Sequence, residues 1–166
     1  MLLAIALLFA FLTGKRVIVD GRSMYPTLLP DEQALFDREA YRKAGPQRGD
    51  IVLARHPARP EMLLIKRVAG APGDAVTNDE TGCWINSAWA AETEGLGGPA
   101  RQGEWTLGND EYFLLGDQPV HSTDSRHFGP VNRRSILGRG WLVYWPPRRA
   151  RWLRKAHDNS NLQIHT

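Results

Sequence analysis

The sequence has few of the residues that build metal centres or disulfides. It contains one cysteine, Cys83, in 166 residues, which excludes an intramolecular disulfide and a cysteine-rich metal site. Its five histidines have no metal-ligand spacing with one another or with acidic residues. No internal repeat recurs, and only the N-terminal segment is a long apolar run. The remaining composition, 42% hydrophobic and 23% charged, is that of one globular domain with a real core.

Acidic residues are missing from a long segment near the C-terminus. Residues 132–157 contain eight Arg or Lys residues and no Asp or Glu, with Trp141, Trp145 and Trp152 among them. Basic residues mixed with tryptophan suit an anionic membrane surface, and they also suit nucleic acid. A solvated basic tail is an equally good interpretation of this segment taken alone.

The apolar run at the N-terminus is short for a membrane span. Residues 2–13, LLAIALLFAFLT, carry no charge and would extend roughly 18 Å as a helix, against a hydrocarbon core of about 30 Å. A cleavable signal peptide would have a charged n-region and an A-x-A-like site, and neither is present. Three interpretations remain: a short anchor assisted by Lys15 and Arg16, a longer anchor truncated at its start, or a buried helix. We favour an anchor, whose orientation the flanking charges do not determine.

Short strands separated by turns are predicted for the rest of the chain. Residues 31–47 show only a weak helical or irregular pattern, and residues 93–105 are typical of a glycine-rich loop. Elsewhere the pattern predicts an all-β architecture. The predicted strands are KRVIVDG (15–21), GDIVLARH (49–56), MLLIKRVAG (62–70), GCWIN (82–86), EYFLLGD (111–117) and RGWLVYWPP (139–147).

One serine, Ser23, stands among turn-forming residues in VDGRSMYPTLLPD. Serine is a poor nucleophile without a neighbouring base, and the nearest histidine, His56, is more than thirty residues away. The segment HSTDSRH, residues 121–127, packs His, Ser and Asp into seven positions. Because triads are assembled from distant segments, a turn-rich loop is the better interpretation of it.

Lys66 is a second candidate base. Strand alternation puts Leu64, Lys66 and Val68 on one face, and Ile65 and Arg67 on the other. Burial on the apolar face lowers a lysine pKa from about 10.4. A pKa near 8 would cost roughly 3 kcal/mol and would give a neutral amine that can act as a general base. The alternative is a lysine that snorkels from the end of the strand.

Three separated segments, read together, resemble the boxes of type I signal peptidases, the membrane-anchored Ser/Lys proteases. They are GRSMYPTL (21–28), KRVAGAPGD (66–74) and GDQPVHSTDSRHFGPV (116–131), in the order and approximate spacing of that family. The resemblance covers most of residues 17–147. It implies a mostly β catalytic domain at 17–147, built as an antiparallel sheet or barrel. A short N-terminal apolar helix would anchor it at 1–16, and a basic C-terminal tail would follow at 148–166.

The resemblance assigns roles to five residues of the proposed catalytic centre. Ser23 falls on the family's nucleophile and Lys66 on its general base. Ser122 falls on the serine that hydrogen-bonds the lysine amine and orients it. Asp124 and Arg126 match a charged pair that supports these groups.

Around the serine turn, Met24 and Pro26 match positions that shape it beside the substrate groove. Gly21 occupies a position where some members carry a serine whose hydroxyl contributes to the oxyanion hole, so the backbone N–H groups would have to supply that hole here. Gln118 stands where the family usually has Asn, and Pro119 after it favours an extended conformation.

The activity implied by the resemblance is removal of signal peptides from exported preproteins through an acyl-enzyme, without a metal or organic cofactor. It also implies preprotein and membrane-lipid partners and a catalytic domain on the extracytoplasmic side of the cell membrane. A processing protease of the same class, dedicated to one substrate, is the close alternative. Two others are a catalytically silent peptide-binding domain and a nucleic-acid binder related to self-cleaving repressors. The intact Ser23, Lys66 and Ser122 oppose the first of these, and the lack of a DNA-binding helical region opposes the second.

Overall fold

The computed structural model describes residues 14–91 and 101–153, and this part of the chain is mostly β. It contains twelve strands and one short α-helix, α1 (Ser125–Phe128). Short 3-10 helices occupy Pro119–His121, Arg133–Ser135 and Pro147–Arg149. The strands are β1 (Lys15–Ile18), β2 (Gln33–Asp37), β3 (Ile51–His56), β4 (Arg59–Gly70), β5 (Ala75–Asn78), β6 (Cys83–Ile85), β7 (Ala88–Ala91), β8 (Gly103–Thr106), β9 (Glu111–Leu115), β10 (Val131–Asn132), β11 (Ile136–Trp145) and β12 (Arg151–Trp152).

The strands form two antiparallel sheets. The larger has eight strands in the order β1-β2-β11-β3-β4-β9-β10, with β12 beside β11. The smaller has four in the order β7-β6-β5-β8. The long strand β4 pairs with β3 over most of its length, but β9 pairs with it only from Arg67 to Gly70. One flank of β4 before Arg67 therefore has no strand beside it among the described residues, as at the edge of a sheet.

Buried side chains form three apolar clusters, one of which holds the loop between β1 and β2 against the larger sheet. In this cluster Met24 and Leu28 of the loop pack with Phe36, Leu53 and Val143 of the strands. A second cluster lies where β3, β4 and β9 meet, and a third lies between the larger and smaller sheets. The first cluster fixes the loop that carries Ser23.

The predicted mostly β fold is confirmed, but the sequence missed a central strand. β2 lies in the stretch predicted to be weakly helical or irregular. It runs between β1 and β11, and its residues Ala34, Leu35 and Phe36 are fully buried. Because both faces of β2 are covered, its apolar run has no alternation, and three residues are too few to indicate a strand. The sequence also missed the start of β8, because residues 103–105 of the predicted glycine-rich loop belong to this strand.

The predicted N-terminal anchor and its apolar helix at residues 2–13 lie outside the described residues. So do residues 154–166 of the predicted basic tail. Within residues 14–91 and 101–153, no helix has the length and apolar character needed to cross a bilayer. At the other end, β12 pairs with β11, so the larger sheet continues past the expected boundary at residue 147.

Candidate active site

Ser23 lies in the loop that joins β1 to β2. Two backbone hydrogen bonds close the base of this loop, from the Val19 N–H to the Glu32 carbonyl at 2.8 Å and from the Asp31 N–H to the Val19 carbonyl at 3.0 Å. Inside the loop, the Tyr25 N–H donates to the Arg22 carbonyl at 3.0 Å and closes a turn around Ser23. This turn leaves the serine half-exposed.

The residues around Ser23 explain why the turn has this shape. Met24 and Leu28 are buried in the core, and the Leu28 N–H donates to the Met24 carbonyl at 2.8 Å. Gly21 has a φ of +79°, a backbone region that favours glycine. Pro26 is exposed on the outer side of the loop. The predicted turn residues thus anchor one side of the loop in the core and leave Ser23 at its rim.

Lys66 extends from β4 towards this serine. Its Nζ lies 2.8 Å from Ser23 Oγ and donates a second hydrogen bond to the Ile65 carbonyl at 3.1 Å. The predicted strand alternation is present, since Leu64, Lys66 and Val68 are all buried. Burial, which leaves the side chain 3% exposed, lowers the pKa of Lys66 from 10.5 to about 8. The amine is therefore about half neutral near pH 8.

Two charged residues behind Lys66 act on it in opposite directions. The negative charge of Asp124 raises the pKa of Lys66, and the positive charge of Arg126 lowers it. Both side chains are completely buried and form an ion pair, with Arg126 Nη2 at 2.6 Å and Nε at 2.9 Å from the Asp124 carboxylate. Because these effects oppose each other, desolvation remains the main cause of the lowered pKa.

Ser122 has a different partner from the one predicted. The resemblance predicts a hydrogen bond between Ser122 and the Lys66 amine, and no such bond joins them among the described contacts. The hydroxyl instead donates to Asp124 Oδ2 at 2.6 Å. A carboxylate two residues away is a stronger acceptor than an amine, which accounts for this preference. Ser122 is 4% exposed and so lies beneath the surface of the site.

Gly116 lies between Ser122 and the loop that carries Ser23, a contact that the sequence pattern does not indicate. A Cβ atom at Gly116 would overlap Ser122 Oγ and would lie 2.6 Å from the Ser23 carbonyl oxygen. The Gly116 N–H donates to Asp124 Oδ2 at 2.9 Å. Two residues on, the Gln118 N–H donates to the Ser23 carbonyl at 3.0 Å. The Gln118 link uses the backbone, so it does not depend on the longer amide side chain.

A second ion pair, between Arg67 and Asp117, joins β4 to the end of β9 close to Gly116. Arg67 binds the Asp117 carboxylate through Nε at 2.7 Å and Nη2 at 2.6 Å, and its Nη1 donates to the Gly49 carbonyl at 2.8 Å. The pair fixes the end of β9 to β4 immediately beside Lys66. Both residues lie inside the segments that carry the family resemblance, which is the signal that would have singled them out.

The segment HSTDSRH does not form a His–Asp pair. Asp124 is held by Arg126, and its backbone N–H donates to His127 Nδ1 at 3.3 Å as part of the N-terminal cap of α1. His121 is exposed. The interpretation of this segment as a turn-rich loop agrees with these contacts, although Ser125–Phe128 is helical. The described residues also contain no group of three or more His, Cys, Asp or Glu that could hold a metal ion.

A groove of about 340 Å³ opens beside Ser23 and Lys66. Its walls come from β1 and the following loop on one side and from β4 on the other. Most of the lining is aliphatic, including Val17, Met24 and Leu64. β1 is an edge strand, and β4 has one open flank here. The groove can therefore receive an extended peptide between two strands.

The backbone beside the serine offers a donor for a negatively charged oxygen. Among the described contacts, the Ser23 N–H has no hydrogen-bond acceptor. A Cβ built on Gly21 would meet no atom within 4 Å, so the space beside this position is open. The arrangement thus combines a hydroxyl, a partly neutral amine and a free N–H at one end of an apolar groove.

Comparisons with known proteins give consistent matches. The family model described as signal peptidase, peptidase S26, matches residues 1–145. The probable signal peptidase I-2 of Synechocystis sp. is 30% identical over 152 residues, which cover 88% of this chain and 70% of that protein. Signal peptidase I V of Bacillus subtilis is 31% identical over 135 residues, which cover 72% of this chain and 79% of that protein.

Mitochondrial proteases of eukaryotes are also among the matches. Mitochondrial inner membrane protease subunit 2 of Danio rerio is 34% identical over 141 residues, which cover 82% of this chain and 66% of that protein. Among solved structures, a signal peptidase I from Enterococcus faecalis V583 has a TM-score of 0.43 at 27% identity, over 57% of this chain and 95% of that chain. Family membership rests on the sequence matches.

Proposed function

The chain belongs to the signal peptidase family, peptidase S26, and from that membership we propose that Ser23 and Lys66 form its catalytic dyad. The chain is a serine endopeptidase of the signal peptidase type that removes signal peptides. In the proposed mechanism the peptide bond is cut through an acyl-enzyme on Ser23.

The observation that supports the dyad is the 2.8 Å distance between Ser23 Oγ and the Nζ atom of the buried Lys66. A general base must lie within hydrogen-bond reach of the proton that it removes, and its pKa should be near the working pH. Lys66 satisfies both conditions, since burial lowers its pKa to about 8. An exposed lysine would remain an ammonium ion and would have no lone pair for the proton.

The reaction begins with proton transfer from Ser23 Oγ to the neutral Lys66 amine as the oxygen attacks the scissile carbonyl. The Ser23 N–H stabilises the oxyanion that develops, because it lies beside the attacking oxygen and has no other acceptor among the described residues. The Lys66 ammonium then protonates the leaving amine. The regenerated amine activates water, which hydrolyses the ester and releases the acyl product.

The other predicted site residues act through position. Asp124, held by Arg126, receives hydrogen bonds from Ser122 and Gly116 and so fixes the wall behind the amine. We therefore assign Ser122, Asp124 and Arg126 as positioning residues. The substrate lies extended in the groove beside Gly21 and Met24, where aliphatic walls suit the small side chains before the cut. Pro26 helps to hold the loop that forms one end of this groove.

We propose that the protein acts at the extracytoplasmic face of the cell membrane, with the residues before β1 as a single-pass anchor and the residues after β12 as a basic tail. The support is the apolar run at residues 2–13 and the membrane location of relatives such as mitochondrial inner membrane protease subunit 2. The basic, Trp-containing segment at 132–157 also suits an anionic lipid surface. Membrane lipid and preproteins are then its partners.

Cleavage of a preprotein by the wild type, Ser23→Ala and Lys66→Ala proteins in detergent micelles tests the dyad. Both variants should lose turnover while keeping the folded state in circular dichroism. Ser87→Ala, a change on an exposed turn, is the matched serine control and should cleave like the wild type. Turnover retained in either dyad variant would refute the mechanism.

A processing protease that matures one dedicated substrate is the second candidate. The match to mitochondrial inner membrane protease subunits favours it, because these relatives differ by name from general signal peptidases. A panel of unrelated preproteins separates the two functions. Cleavage of most of the panel at comparable kcat/KM supports the general peptidase, and cleavage of a single member supports the dedicated one.

A further inference from the structure

A second cavity, of about 570 Å³, lies on the outer side of the loop that joins β1 to β2 and carries Ser23. Its lining includes Arg22, Tyr25, Gln118, His121 and Arg149. We define this cavity as the basic cleft. It differs from the substrate groove, whose lining is mostly aliphatic.

The basic cleft and the substrate groove meet at the catalytic serine. Arg22 and His121 line both cavities, and Ser23 directly follows Arg22 in the chain. An extended peptide whose scissile carbonyl reaches Ser23 must leave the groove on one side of the serine. Because the aliphatic groove is proposed to hold the residues before the cut, a peptide that continues past Ser23 would pass Arg22 and His121 and enter the basic cleft.

The charges of the basic cleft are of one sign. Arg22 and Arg149 are permanently charged at neutral pH, and among the described residues that line the cleft none is acidic. Glu32 lies at the end of the same loop, but Arg151 binds both of its carboxylate oxygens, at 2.8 Å and 2.7 Å. The charge of Glu32 is therefore balanced by Arg151, which does not line the cleft.

Resting on the proposed function, we infer that the basic cleft is a subsite for acidic side chains in the first residues after the scissile bond. Arg22 and Arg149 supply the opposite charge, and the Tyr25 hydroxyl and the Gln118 amide supply neutral hydrogen-bond donors. The cleft then selects among substrates by the sequence of the released mature chain, independently of the small side chains before the cut.

Quenched fluorescent peptides test this subsite in detergent micelles. Each peptide carries Ala at the first and third positions before the cut, and Asp, Asn or Lys at one of the first three positions after it. At one of these positions Asp should exceed Asn in kcat/KM by about two- to five-fold, the range that exposed ion pairs give, and Lys should fall below Asn. The preference should shrink in 1 M salt, where the Debye length falls to about 3 Å.

Two neighbouring arginines provide a matched pair of variants. Arg148 and Arg149 are both exposed in the same 3-10 helix, but only Arg149 lines the basic cleft. Arg149→Gln should remove most of the Asp preference, and Arg148→Gln should retain it. Arg148→Gln should cleave the Asp and Asn peptides as the wild type does, because this residue lies outside the cleft, whereas Arg149→Gln should bring kcat/KM for the Asp peptide close to that for the Asn peptide.

Several results would overturn the inference. Equal kcat/KM for the Asp and Asn peptides in the wild type would do so, and so would an equal loss of preference in both variants. If turnover depends on anionic vesicles, and Arg149→Gln removes that dependence but not the Asp preference, the cleft binds lipid headgroups instead. Failure to cleave every peptide would overturn the proposed function and this inference with it, whereas cleavage without charge preference overturns the inference alone.

Discussion

The proposed role of Lys66 as general base predicts a pH dependence of peptide cleavage that is set by the burial of this residue. Desolvation is the main cause that lowers its pKa from 10.5 to about 8. That difference corresponds to about 3 kcal/mol, since each pKa unit is worth about 1.4 kcal/mol. At pH 8 about half of the molecules carry the neutral amine, against roughly 0.3% for a lysine with a pKa of 10.5. Burial thus increases the reactive fraction by about 150-fold at this pH.

The prediction is tested by measuring kcat/KM as a function of pH, because this profile reports the pKa values of essential groups in the free enzyme. We expect a tenfold rise per pH unit below about pH 8 and a plateau above it, because the neutral amine is the active form. A quenched peptide without groups that titrate between pH 6 and 10 makes the assay specific. The ionic strength is kept constant throughout.

The control for this titration is Lys43→Ala, which removes an exposed lysine and should leave the profile unchanged. A rise that continues past pH 10 would refute the argument that desolvation lowers the pKa of Lys66. A flat profile from pH 6 to 9 would instead exclude Lys66 as the general base in its neutral form.

Three substitutions test the stability of the site. Lys66→Met should abolish cleavage and raise the free energy of unfolding at pH 7 by up to about 3 kcal/mol. The folded-state pKa is lowered, so the desolvation cost is present in full below about pH 8 and disappears above pH 10.5; an equal gain measured by denaturation at pH 7 and pH 10.5 would contradict this sign. Gly116→Ala should lower stability by about 1–3 kcal/mol through overpacking and should also lower kcat/KM, because its Cβ would meet Ser122 and Ser23; unchanged Tm and kinetics would contradict it. Asp124→Asn should destabilise the fold by about 3–5 kcal/mol, because the substitution removes the carboxylate charge that pairs with the buried Arg126. A loss under 1 kcal/mol in urea denaturation would contradict a stabilising role for this ion pair.

The position of Lys66 was predictable because it depends on local strand geometry. The apolar neighbours Leu64 and Val68 indicate which face of β4 is buried, and the structure places the lysine on that face. The partnership with Ser23 depends on a contact across 43 residues of chain. Periodicity does not carry such a contact, and the prediction came from the family resemblance.

The contacts that the sequence did not reveal are those set by close packing between distant segments. In the sequence, Gly116 has the features of an ordinary turn glycine. The structure shows that Ser122 and the Ser23 carbonyl lie so close to it that a side chain cannot fit there. β2 was missed for a similar reason, since its burial depends on β1 and β11 from opposite ends of the domain. Likewise, Ser122 bonds Asp124 because the folded loop places the carboxylate within reach.

The ion pair behind Lys66 limits how far a buried carboxylate can raise the pKa of this lysine. A lone buried carboxylate near Lys66 would raise its pKa and hold the proton on the amine. Asp124 acts in that direction, but Arg126 occupies both of its oxygens and opposes its effect on the amine. Asp117 also raises the pKa of Lys66, and Arg67 binds its carboxylate through two hydrogen bonds. The carboxylates can therefore hold the loops of the site together through hydrogen bonds, while desolvation still decides the protonation of the base.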